Sequence, residues 1–167
     1  FSDHGHVKVT ESIELRSLFR EKGFELNDYI HVVDSTFARF WIRNNEEGSK
    51  IRNILDKINI GYILDETHYK KYNLEMPDNR YGDIIFAIDP PKVFSKQFSP
   101  FGKLRGKKPD YSMHGYNPEF KDMDGVLVTN KDLISEEYIK LQDILPSHLS
   151  ILGVELPSYI CGNSFWQ

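Results

Sequence analysis

The chain of 167 residues holds one cysteine, Cys161, which rules out a disulfide within it and any zinc site built from thiolates. Long apolar runs are missing too. Ile84-Ile85-Phe86-Ala87-Ile88 is typical of what there is, far short of the ~20 residues that span a bilayer, so no membrane segment is expected. Positive charge is not in surplus: the net charge is −4, which argues against a nucleic-acid polymer as partner. There is no P-loop, no GxGxxG and no Ser-His-Asp spacing, and we find neither an internal repeat nor a low-complexity segment. What remains is ordinary for a globular chain, 40% apolar and 28% charged. The lone cysteine tilts the compartment slightly toward a reducing, cytoplasmic one, and nothing else in the sequence speaks to location.

Periodicity predicts a first helix over residues 11–22, with Thr10 as cap, Leu15, Leu18 and Phe19 as the buried stripe and Gly23 as the stop. A hairpin follows, residues 29–33 and 38–42 flanking the polar turn Asp34-Ser35-Thr36. Ile51, Ile54, Leu55 and Ile58 fall at i, i+3, i+4 and i+7, the clearest helical period in the chain. Strands at 61–64 and 83–88 complete a small α+β subdomain over residues 29–88. A short buried strand is expected at 125–129. A closing helix is expected at 143–153, with Asp143 as its cap, Pro146 in its first turn and Gly153 at its end.

From Asp89 to Met113 periodicity disappears. Between Pro91 and Pro109 stand six cations (Lys92, Lys96, Lys103, Arg105, Lys107 and Lys108) and no acid, so the remainder of the chain carries −10. The segment reads either as a solvated surface loop or as a lip that attracts an anionic substrate.

Two short stretches carry metal-ligand chemistry. Asp3 and His4 are adjacent, so on a regular strand they face opposite ways and can converge only where the strand yields to a loop, which Gly5 permits. A carboxylate with an imidazole suits Zn²⁺ or Mn²⁺ and leaves room for phosphate oxygens. His114, followed by Gly115 in a polar loop, is free to approach a ligand, or else caps its loop as a surface histidine. His6 is a minor candidate for a contact near Asp3. His31 and His148 read as packing or surface residues, and His68 as solvent-exposed. The ligand-dense start has no preceding element to aim it, which suggests a longer chain upstream of Phe1.

In this order the pieces resemble the C-terminal part of the alkaline phosphatase superfamily, most nearly its type I phosphodiesterase/nucleotide pyrophosphatase branch. Ser2-Asp3-His4-Gly5 looks like the SDHG metal motif of that branch. Arg80-Tyr81-Gly82-Asp83-Ile84 with Ala87-Ile88-Asp89-Pro90 is similar to its R-x-G-D-I strand and D-P turn. His114-Gly115-Tyr116-Asn117 with Asp122-Met123 resembles its second histidine motif. Asp143-Ile144-Leu145-Pro146 through Leu152-Gly153, with Leu156-Pro157 and Gly162, is similar to the closing helix and tail. The tyrosine and asparagine after His114-Gly115, and Thr129-Asn130, depart from the commonest forms of that branch.

The resemblance implies an α/β fold. Residues 1–167 would be the C-terminal segment of an alkaline phosphatase-like sandwich, a sheet flanked by helices, with the 29–88 subdomain beside it. It implies a metal-dependent phosphodiesterase or related phosphohydrolase acting on a small phosphate ester. Two divalent ions are implied, zinc first, manganese or magnesium otherwise. Asp3 and His4 would ligate one and His114 the other. The Ser/Thr nucleophile and the remaining ligands would come from the missing N-terminal part of the same domain, so no catalytic nucleophile is expected here and the chain alone is expected to be inactive. An uncovered sheet edge would favour homo-oligomers. Sulfatase and phosphotransferase chemistries share the fold. A different class, a non-catalytic anion-binding or adaptor module using the basic segment, is the alternative.

Overall fold

In the computed structural model, which describes residues 1–26, 29–95, 112–130, 132 and 138–166, the clearest apolar stripe of the sequence becomes the longest helix. We number elements in chain order: β1 (Val7–Lys8), β2 (Glu11–Ile13), α1 (Leu15–Glu21), β3 (Ile30–Val33), β4 (Phe37–Trp41), α2 (Asn45–Ile58), β5 (Gly61–Ile63), α3 (Glu66–Lys71), β6 (Ile84–Ile88), β7 (Lys92–Phe94), β8 (Ser112–Met113) and α4 (Ile144–Ile151). The chain is thus mixed α/β, with three small sheets and four α-helices among the described residues. None of those helices is long and apolar enough to cross a membrane.

Two units separate. One is residues 4–124; the other joins residues 1–3 to 125–167. The larger is organised around a four-stranded antiparallel sheet in the order β3-β4-β6-β5. Every residue of β6 is buried, as its unbroken apolar run requires of a central strand covered on both faces. Across β4 it sets Ala38 opposite Phe86 and Phe40 opposite Ile84. α2 is capped by Asn44, whose side chain accepts from the Glu47 amide at 2.9 Å, and is closed by Asn59 in a left-handed conformation. It buries Ile51 and Leu55 completely, each contributing roughly 1.5–3 kcal/mol. α1 adds Leu15 and Phe19, and the Phe19 ring stacks on Phe40 at 5.8 Å.

Two expectations for this unit are corrected. Residues 11–22 are not one helix. Glu11–Ile13 pairs in parallel with Lys92–Phe94, and α1 starts only at Leu15 after Glu14, because the ladder to β7 satisfies the backbone that a first helical turn would have used. That same β7, with buried Val93 and Phe94, interrupts the stretch expected to be irregular from residue 89 onward. Lys96, Lys103, Arg105, Lys107 and Lys108 lie outside the described residues.

The second unit departs further from its sequence pattern. Residues 125–129 do not form a buried strand: Val126 is 62% and Val128 83% exposed. Their backbone is held instead by residue 2, with the Ser2 amide donating to the Val126 carbonyl and the Val126 amide to Ser2 Oγ. α4 does run to Ile151 and stops before Gly153, whose φ is +66°. Asp143 is no side-chain cap, however. It sits in a helical conformation, and its Oδ1 accepts from the Asn163 amide at 2.9 Å.

Candidate metal centre

β1 and β8 are each two residues long, yet their register builds the site. Val7 lies opposite Met113 and Lys8 opposite Ser112 in an antiparallel pair. Continued one residue outward, this register sets His6 opposite His114. His4, two residues before His6, falls on the same side of an extended chain. Three imidazoles therefore gather: His4 and His114 at 4.0 Å between ring centroids, His4 and His6 at 5.1 Å, His6 and His114 at 5.3 Å.

Two glycines allow the approach. Gly5 donates its amide to the Met123 carbonyl, and a Cβ there would stand 2.0 Å from the Asp122 carbonyl oxygen, so no larger residue fits without moving that loop. Gly115 has φ +82°, a conformation that side chains disfavour, and turns the chain immediately after His114. Tyr116 then anchors the loop. Its ring is buried, its hydroxyl donates to the Lys92 carbonyl at 2.8 Å, and burial raises its pKa. Asn117 Oδ1 accepts from the Tyr72 hydroxyl at 2.9 Å, and Glu119 accepts from Lys71, which ties the loop to α3. These bonds to Lys71 and Tyr72 hold the Glu119 carboxyl below its ordinary range, the Lys71 ammonium being the main cause.

Ring orientation decides what the histidines can hold. His4 and His114 are stacked, 16° from parallel. An imidazole lone pair lies in its ring plane, so two parallel rings cannot aim at one ion. His4 Nδ1 donates to the Gly5 carbonyl at 2.9 Å, which makes Nε2 the acceptor nitrogen, the arrangement usual for a metal-bound histidine. Among the described residues, no three His, Cys, Asp or Glu side chains surround a single point. The described residues therefore offer one imidazole at each of His4 and His114 and form no closed cage for an ion.

The structure brings His4 and His114 together and adds His6. Asp3 is exposed and belongs to the other unit, whose boundary falls between it and His4. His148 is exposed beside Phe1 in that same unit, 6.0 Å between rings. His31 is half-buried on β3, as expected of a packing residue, with Nδ1 on the Tyr29 carbonyl. His68 is not simply exposed. It stacks on Tyr62 at 4.9 Å and closes a capping box with Asp65 at the start of α3. Asp65, Glu66 and His68 held that capping signal in the sequence, with histidine in the place usually taken by Glu or Gln. No family model, no curated protein and no solved structure matches this chain.

Proposed function

We propose that this chain forms the C-terminal part of a metal-dependent phosphodiesterase or related phosphohydrolase, with the alkaline phosphatase-like architecture implied by its motifs. Asp3 and His4 serve one divalent ion, and His114 serves a second. The parallel stack of His4 on His114 at 4.0 Å is the observation that carries this reading, since it brings two imidazoles side by side with lone pairs that cannot share one ion. Zinc is the first choice, because imidazole nitrogen is a better partner for it than for magnesium.

A bound pair of divalent ions supplies charge neutralisation at a phosphoryl group. The residues of this chain position it. Gly5 and Gly115 let two imidazoles approach, Tyr116 pins one loop to β7, and Tyr72 with Lys71 pins the same loop to α3. Such a site works by orientation and electrostatics, so rigidity in the loop matters more than any acid or base on it. The Ser or Thr nucleophile is supplied upstream of Phe1, and the chain alone turns over no substrate.

The test is hydrolysis of a model phosphodiester by the full-length gene product after chelation and zinc return. Activity is expected to vanish with chelator, to come back with zinc, and to fall by roughly 100-fold or more in His114→Ala, about the effect of losing one key electrostatic group. Undiminished turnover in His114→Ala would overturn the reading. So would a gene that starts at Phe1 and binds phosphate esters without cleaving them, which is the adaptor alternative.

A further inference from the structure

We propose that His68 is a pH-operated latch: neutral, it caps α3, and protonated, it turns to the Asp65 carboxylate and draws the 117–119 segment toward that helix. The latch lies beyond the hydrolase reading and needs no ion at His4 or His114.

One ring nitrogen stands between two incompatible partners. His68 Nδ1 lies 3.3 Å from the Asp65 amide, where closing the capping box requires it to accept. The same nitrogen lies 2.6 Å from Asp65 Oδ1, where it must donate. A ring nitrogen that carries a proton has no lone pair to offer, so the two bonds exclude one another. The neutral ring keeps one bare nitrogen, and with Nδ1 bare the amide bond forms. The imidazolium carries a proton on both nitrogens, so only the carboxylate bond survives. Protonation therefore exchanges a backbone cap for an ion pair. Histidine is the side chain whose ordinary charge change falls at about pH 5–8, so the exchange needs no extreme of pH.

The surroundings carry the change to the loop after His114. Tyr62 on β5 stacks on His68 at 4.9 Å, 21° from parallel, and Tyr72 just past α3 stands at 6.4 Å. A cation over a tyrosine face gains an attraction that the neutral ring lacks. Both tyrosines reach the loop. The Asn117 side chain hydrogen-bonds Tyr62, and the Tyr72 hydroxyl donates to Asn117 Oδ1 at 2.9 Å and to Glu119 at 3.3 Å. The Glu119 carboxylate, bound first by Lys71, also feels the charge of His68. Asp89, next after β6, acts on Tyr62 from behind. The cationic ring thus faces Asp65 on its own helix, an aromatic face on β5 and a carboxylate on the loop, and each attraction lapses when the proton leaves.

Nuclear magnetic resonance of the whole chain between about pH 5.5 and 8 tests this. On acidification the Asp65 amide is expected to lose roughly 2- to 10-fold in exchange protection, the scale of one net hydrogen bond, as the His68 ring titrates. The Thr67 and His68 amides, which bond to Asp65 Oδ1, should keep theirs. The Asn117 side-chain amide should shift along the same curve as the ring. His68→Gln caps as glutamine does in a capping box but takes up no proton, so it should keep the Asp65 amide protected throughout and flatten the Asn117 curve. His68→Phe keeps a ring on Tyr62 and neither caps nor charges, so its Asp65 amide should be unprotected at every pH. An Asp65 amide in the parent that ignores the titration of His68 would overturn the exchange of bonds. An Asn117 curve that persists in His68→Gln would trace to His114, three residues before it, and overturn the latch.

Discussion

Residues 30–88 and residues 138–166 are held by different means. In the first, apolar burial dominates: Phe40, Ile51, Leu55, Ile84 and Phe86 are all but sealed from water, on a four-stranded antiparallel sheet. In the second, Leu141, Ile151, Leu152, Val154 and Tyr159 are exposed, and order comes from hydrogen bonds around one small residue. The Ser147 hydroxyl donates to the Asp143 carbonyl at 2.6 Å and accepts the Phe165 amide at 3.0 Å, while its carbonyl accepts from Trp166 Nε1 at 2.8 Å. The C-terminal tail is thus stitched to α4 through a fully buried serine. Apolar burial is spread over many side chains and fails gradually, whereas a stitch fails with its one atom.

Substitutions at matched positions would break or sharpen that contrast. The largest effect is expected from Phe40→Ala, which opens a cavity against Phe19 and should cost ~3–5 kcal/mol in urea unfolding; Leu152→Ala, exposed after α4, should stay within ~0.5 kcal/mol. A large loss at Leu152 would mean that the second region is packed after all. Ser147→Ala comes next. It strands the Phe165 amide in a buried position and should cost ~1–3 kcal/mol, visible as a red shift of tryptophan emission from a loosened Trp166. Emission identical to the parent would show that the serine hydroxyl is incidental.

The smallest effect concerns pH and shows that stitches exist in the first region too. Hydrogen bonds from the His68 backbone, and then from its side chain, hold the Asp65 carboxyl below its ordinary 3.8. A depressed carboxylate pKa stabilises the fold above the unfolded value and loses that contribution as pH falls through the folded one. Amide-exchange protection at Thr67 and His68, which bond to Asp65 Oδ1, should therefore hold steady at mildly acidic pH and decline only below 3.8. Protection already lost near neutrality would contradict the cap.

The same division explains how much could be read from residues alone. The i, i+3, i+4, i+7 pattern located α2, and the unbroken apolar run located β6, because both signals are local and the core then honours them. Glu11–Ile13 misled, since its helix-like neighbours carry no trace of a partner 81 residues away at β7. Val126 and Val128 misled in the opposite sense: their β-branched alternation promises burial that the described residues do not provide. For the candidate centre, Asp3, His4 and His114 were legible as ligand types. That His6 stands beside them depends on which residue of β8 faces it, a fact of pairing and not of composition.

That pairing leaves the trio hostage to parity. One residue added between His4 and Val7 would keep both rungs of the β1–β8 ladder and the whole apolar interior, yet swing His4 to the reverse side of its strand. The molecule would keep its apolar interior, strain the fit of Gly5 against the Asp122–Met123 loop and lose its stacked pair. Insertions at this spot should therefore act on the His4–His114 stack before the core, whereas those in the loops joining β3 to β4 or α2 to β5 would be felt by the core first.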